Sequence, residues 1–519
     1  MNLVDDALAE EELRRALSSG RPEAIAQTAM ANIWPLYTGR FSLLIQAIEG
    51  LPSAVLDRYP VLRAVHRMTP VLASSTRPFK PLLYADASRA MSTDELDVLT
   101  LAQMVSFRFS GDVAAAVVYA RRLQERLAQA PVESRERVDG PLWFYHHQIG
   151  STLLAAGDSA RALQELATAR QLGRISGRRY AERIALGRMA LAHAVRGSLD
   201  EAELALTRLA GLPEPSEAHA SASAMTERAA AALIAVERLT DDTDDLLARL
   251  EAYDSIELSW PFALLARTRC LLARQRPDDA LEAVRLASDA HPSQHGSFAA
   301  DVIGAASIEA QLAAGDPAQA RRLAELRDRS GVLTTLAATR VALEDSRLDV
   351  AEEAVRGLTA DPALGPGHRL EALLFGAWAQ TARTDELDGA TARRIVRLVL
   401  GGDARRLLAT MPSRLIVLAR AEVESEDEGT AFDAATAELG HVELSRRPVL
   451  TPGELRVLGM LPATPTTRQI ADDLHLSPNT VKSQLTSLYR KLGCSTRDDA
   501  MRIAARFQLL GATTEGRPE

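Results

Sequence analysis

The sequence is short of lysine, cysteine, aromatic residues and long apolar runs. Only three lysines occur among 519 residues, Lys80, Lys482 and Lys491, although Lys and Arg together number 60. Aromatic residues make up 4% of the chain, too little for a stacking platform along single-stranded nucleic acid. Two cysteines, Cys270 and Cys494, lie far apart and outside any CxxC pair. That spacing excludes a disulfide framework and a thiolate zinc site, and both thiols read as residents of a reducing compartment. No apolar run approaches the roughly 18 to 20 residues that span a bilayer. The opening "MNLVDDALAEEELRRAL" is acidic and lacks the basic start and apolar core of a signal peptide. A cytoplasmic protein without a membrane partner is expected. No glycine is followed by lysine, so the phosphate-cradling loop GxxxxGK[ST] is missing.

Alternating β-branched segments are missing as well, which excludes a receiver domain built from strands that end in Asp. Apolar residues recur instead at helical spacing, among Ala-rich stretches of high helix propensity. An all-α fold is expected. At this length, with 47% apolar content, the chain suffices for two to four domains with buried cores.

The long N-terminal part repeats itself. "FSGDVAAAVVYARRL" at 109, "AAGDSARALQELATA" at 155, "VRGSLDEAELALTRL" at 195, "RQRPDDALEAVRLAS" at 274 and "AAGDPAQARRLAELR" at 313 share one plan, and "LTDDTDDLLARLEAY" near 240 completes the series. A turn-forming pair is followed by a polar step and then a helix with Ala near its start. About six hairpins of about forty residues each follow from that spacing. Gly111, Gly157, Gly197 and Gly315 supply a positive φ, Pro277 fills the equivalent turn, and Asp or Ser caps the second helix. Residues 346 to 403 continue as helices with less regular turns. The first hundred residues, punctuated by Pro35, Pro52, Pro60 and Pro70, read as the opening hairpins of the same array. This part resembles a tetratricopeptide-type solenoid with a long repeat, assigned to residues 1–420.

Five acidic residues crowd positions 422 to 428, and residues 421–447 are taken as an acidic linker or a last short helical element, with a short helix near 430 to 439. Beyond it the composition changes. Residues 448 to 519 carry nine basic and seven acidic residues, a net of +2, which leaves -11 for the rest of a chain at -9. Such asymmetry is a clue to partners.

Start signals for helices are dense here. "TPGE", Thr451 to Glu454, is a capping box with Pro at the first helical position. "TTRQIADDL" repeats the device at Thr466, and Ser477 with Pro478 opens a third helix. That helix carries Val481, Leu485, Leu488 and Leu492 as a single apolar stripe and stops at Gly493. A fourth follows in "STRDDAMRIAARFQLL". On a wheel, Asn479, Lys482, Ser483, Thr486, Ser487 and Arg490 fall opposite the stripe of the third helix. Short hydrogen-bonding side chains with cations among them suit a groove of base edges walled by phosphates.

Leu450, Thr451 and Glu454 match the opening of the LuxR-type, or GerE-like, helix-turn-helix; Ile470 and Ala471, "LSPNTVK", "YRKLG" and Arg497 with Ala500 match the rest. Residues 448–512 resemble that family, with 513–519 as a disordered tail. The resemblance implies a third helix in the major groove, with Lys482, Ser483 and Thr486 at bases and Asn479, Thr480, Arg490 and Lys491 at phosphates. It also implies a homodimer on double-stranded DNA, paired through Ala500, Ile503, Ala504 and Phe507. Gly453 stands where the family often has Arg, which would loosen the first helix, and Gln484 stands where His is common. The helical array is similar to that of MalT-like large regulators, without their ATPase module.

Other candidates carry less. His146 and His147, adjacent on a helix, point about 100° apart and read as packing in a repeat core. His291 and His295 lie in a stretch broken by Pro292 and Gly296. No catalytic constellation, metal site or cofactor is expected. Two functions remain. One is a sequence-specific transcription regulator whose array senses a small-molecule or protein effector. The other is a solenoid adaptor whose C-terminal bundle docks a protein.

Overall fold

The computed structural model describes residues 2–63, 65–66, 93–129, 142–215, 217–251, 259–291, 297–326, 331–401, 405–423, 425–439 and most of 450–509. Among these residues every regular element is a helix. From residue 93 the helices pair into seven hairpins, beginning with Thr93–Phe109 and Val113–Gln129 and ending with Val332–Glu344 and Leu348–Ala360; Pro366–Thr384 then extends the inner layer, and Gly389–Gly401 packs on Ser413–Ala421 and Glu426–Leu439. One more hairpin therefore follows the six expected from regular turns.

One local device builds most of the turns. At Gly157 (φ +83°) the next amide, Asp158 N, donates to the Leu153 carbonyl at 2.9 Å. Ser198 to His193, Arg276 to Leu271, Asp316 to Gln311 and Arg347 to Ala342 repeat that bond. This is the bond pattern in which a left-handed residue stops a helix and satisfies its last carbonyls. Glycine holds the left-handed position at 111, 157, 197 and 315, as the sequence suggests. In the fifth and seventh hairpins Gln275 and Ser346 adopt it instead, so Pro277 is not the turn residue but the first residue of the next helix. Asp112, Asp158 and Asp316 each accept an amide three residues on, capping the second helix. Ser198 makes no such bond.

The two helices of a hairpin have different environments. Helix Arg179–Arg196 is buried on nearly all sides, whereas Leu199–Ala210 buries only the stripe Leu199, Ala202, Ala205 and Leu209. First helices stack on one another along the inside, and second helices form the outer layer with a solvated face. The winding is tight enough for the inner layer to meet itself. Arg179–Arg196 touches Pro366–Thr384, and a Cβ on Gly197 would lie 2.5 Å from the Gly367 Cα. Arg196 Nη1 donates to the Ala363 carbonyl at 3.0 Å across that junction. Nearby, Glu237 joins Arg269 at 2.7 Å and Arg406 at 2.9 Å in a buried ion cluster.

The N-terminal helices do not stack as opening hairpins. Asn2–Ser18, Pro22–Ala31, Ile33–Gly39 and Phe41–Glu49 enclose a small core of their own. The last two fold back onto Glu217–Arg238 in the fourth hairpin. Pro52 caps a short helix as expected, and Pro70 lies outside the described residues.

The acidic segment follows the second of its two readings, a last helical element. Helix Glu426–Leu439 packs on Gly389–Gly401, buries Phe432 in the array's core, and pairs Asp433 with Arg420 at 2.7 Å. Its acidic face is solvated while its apolar face docks, so it closes the array rather than linking it. Residues 440–449 lie outside the described residues.

Candidate nucleic-acid interface

Four helices, Pro452–Met460, Thr467–Asp473, Pro478–Leu492 and Arg497–Arg506, enclose a separate apolar core. Thr451 closes the capping box: its hydroxyl accepts from Glu454 N at 3.3 Å while its amide donates to Glu454 Oε2 at 2.7 Å. Thr466 accepts from Gln469 N, but the Gln469 side chain turns to the Thr466 hydroxyl instead of completing a box. Ser477 caps the third helix through Thr480 N at 3.1 Å, with Pro478 in the first turn. Between the second and third helices His475 is left-handed (φ +52°), and Leu476 N donates to the Ala471 carbonyl at 2.8 Å. Arg497 donates to the Thr464 carbonyl at 2.6 Å and to that of Leu461, tying the fourth helix to the end of the first.

The third helix buries Val481, Leu488 and Leu492 and packs Leu485 against the same core. Opposite that stripe Asn479, Thr480, Lys482, Ser483, Thr486 and Arg490 are exposed, an unbroken polar face. The hydroxyls are in part already oriented, Thr480 within 2.8 Å of the Ser477 hydroxyl and Thr486 donating to the Lys482 carbonyl at 2.9 Å. Lys482 and Arg490 make no ion pair among the described residues. Arg456 and Arg468, on the first two helices, are equally exposed and unpaired there. Sequence reasoning passed over these two because arginine is the chain's ordinary cation.

Lys491 is placed differently from Lys482. Its Nζ lies 2.7 Å from Glu454 Oε2, so it joins the third helix to the capped start of the first. Burial alone would push the Glu454 carboxyl up, but hydrogen bonds from Lys491, the Thr451 amide and Ser487 outweigh it and hold the group at about 2. Lys491, itself exposed, thus has an ion pair within the domain that Lys482 and Arg490 lack among the described residues.

Two of the four residues assigned to pairing are also displaced. Ala500 and Ala504 are fully buried in the domain's own core, where a second chain cannot reach their methyl groups. The Ile503 side chain and Phe507 lie outside the described residues. Elsewhere, His146 pairs with Glu165 at 2.6 Å, His147 is buried, and His291 stacks on Trp260; His295 lies outside the described residues. Gly453 and Gln484, the two departures from the family pattern, face each other: a Cβ at 453 would meet the Gln484 amide nitrogen at 2.7 Å.

Residues 448–504 match the family described as bacterial regulatory proteins, luxR family. A segment of 70 residues is 39% identical to the HTH-type transcriptional regulator MalT of Yersinia enterocolitica serotype O:8 / biotype 1B, strain NCTC 13174 / 8081. It covers 13% of this chain and 8% of that relative. No solved structure matches the chain.

Proposed function

We propose that the luxR-family domain at the C-terminal end makes this chain a sequence-specific transcription regulator of double-stranded DNA, acting in the cytoplasm at the nucleoid. The carrying observation is the exposed polar face of helix Pro478–Leu492. A helix of this width fits the major groove, where each base pair presents its own pattern of donors and acceptors. Lys482, Ser483 and Thr486 lie centrally and read bases. Asn479, Thr480 and Arg490 lie toward the ends and hold phosphates, joined by Arg456 and Arg468. The similarity to MalT, an HTH-type transcriptional regulator, supports the same reading.

The finer parts belong to the same proposal. The protein binds a two-fold site as a homodimer, through outward residues of the fourth helix rather than Ala500 and Ala504. The array acts as the sensor, shifting the balance between paired and unpaired arrangements by its differential affinity for an effector. Mapping bound DNA across the genome, then comparing a recovered site with its scrambled duplex over a range of salt, tests the reading. Equal affinity for both duplexes would leave a protein-docking bundle as the better account.

A further inference from the structure

Where the N-terminal helices fold back on the array they leave a cavity of about 210 Å³. That exceeds the roughly 150 Å³ of an apolar cavity that takes up benzene. The whole chain has 4 Trp, 8 Tyr and 10 Phe, yet among the described residues five of these rings line this one space: Trp34, Tyr37, Phe41, Phe109 and Phe144. Tyr37 and Phe144 are centred 5.2 Å apart, Tyr37 and Phe41 5.4 Å, Trp34 and Phe144 6.0 Å. Ring edges and faces at such distances suit a further ring inserted among them.

Two cations stand in this apolar setting, Arg108 and Arg188; the Arg108 guanidinium donates to the Gln148 carbonyl, the Gln148 side-chain oxygen and the Thr152 hydroxyl. Arg188, from helix Arg179–Arg196, lines the cavity with 5% of its surface exposed. Among the described residues no hydrogen bond or ion pair reaches it, and no Asp or Glu lines the space. Burial lowers its pKa to about 10, which still leaves it a cation at neutral pH. His147 and His219 also face the cavity, with His147 Nδ1 and His219 Nε2 buried and unpartnered. Burial pushes His147 well down and His219 to about 4, so both are neutral and neither adds positive charge. A buried guanidinium without a counter-ion costs several kcal/mol, a cost an entering anion removes.

We infer that this cavity is an effector site for a small aromatic carboxylate, its ring among Trp34, Tyr37, Phe41 and Phe144 and its carboxylate on Arg188. The inference deepens the sensing role proposed for the array and is independent of the DNA-binding half. The test titrates the full chain, without DNA, with phenylacetate and indole-3-acetate and with their neutral amides, by calorimetry. At least one acid should bind saturably, and its amide about ten- to a hundredfold more weakly, the effect of losing a charge-assisted hydrogen bond. R188M should abolish that preference while melting no lower than wild type without ligand. Binding of neither acid, equal binding of acid and amide, or an unchanged preference in R188M overturns the inference. The acid-to-amide comparison on wild type decides it even where R188M does not fold. DNA affinity measured on the same preparations separates this failure from failure of the DNA-binding reading.

Discussion

Lys491 Nζ sits 2.7 Å from Glu454 Oε2, while Arg490, one residue earlier on the same helix, is exposed with no ion pair among the described residues. Neighbouring cations therefore have different tasks. R490A is expected to weaken binding to every duplex alike and to reduce the salt slope by about one unit. K491M should leave the slope unchanged and instead lower the melting temperature of the C-terminal domain. Salt titrations of both variants, paired with thermal melts, check the division.

Lys482 faces outward near the middle of the polar face. K482A should cost about 1 to 3 kcal/mol on the cognate site and much less on a scrambled duplex, because a lost base contact matters only where the right base is present. Loss of equal size on both duplexes would move Lys482 to the phosphate class.

Glu454 gives the domain a pH dependence with a definite sign. Its folded value, about 2, lies below the ordinary 4.5, so the carboxylate contributes stability that is present above 4.5 and fades as pH falls toward 2. E454Q should remove that part of the acid sensitivity and, by weakening the cap, cost about 1 kcal/mol at neutral pH. Melting curves between pH 7 and pH 3 compare the two proteins; parallel curves would show that the pair does not set the response.

The turns of the array offer a reciprocal pair of substitutions. Ser346 is exposed and left-handed at φ +57°, a conformation costing a side chain about 1 kcal/mol, so S346G should stabilise the array by roughly that amount. Gly157 has φ +83° with open space around its missing Cβ, so G157A should destabilise it by a similar amount through conformation alone. Chemical denaturation of the full chain measures both.

What could be read in the sequence was whatever one stretch of chain decides alone. The Gly157–Asp158 turn, the Thr451 box and the stripe of Val481, Leu488 and Leu492 each depend on residues within a few positions of one another. What escaped depends on partners distant in the chain. Residues 426 to 428 look solvated because their charges are, yet Phe432 just beyond them is buried in the array's core. Ala500 and Ala504 carry the same i, i+4 signature whether they face a second chain or their own core. Arg188 is one arginine among dozens until the fold removes its counter-ions. Gly453 and Gln484 read as two independent departures, although together they exchange a bulky contact for a side chain folded over a bare backbone.

The approach of Gly197 to Gly367 has a consequence for how such a chain can evolve. An open stack tolerates duplication or loss of a unit, because each unit answers only to its neighbours. Here backbones almost 170 residues apart must arrive at one point, and Arg196 and Glu237 bond across the same gap to Ala363 and Arg406. Inserting or deleting one hairpin between them would carry those partners past each other. The number of units is fixed by closure, much as the strand count of a barrel is, and the array should melt as one body rather than unravel from an end.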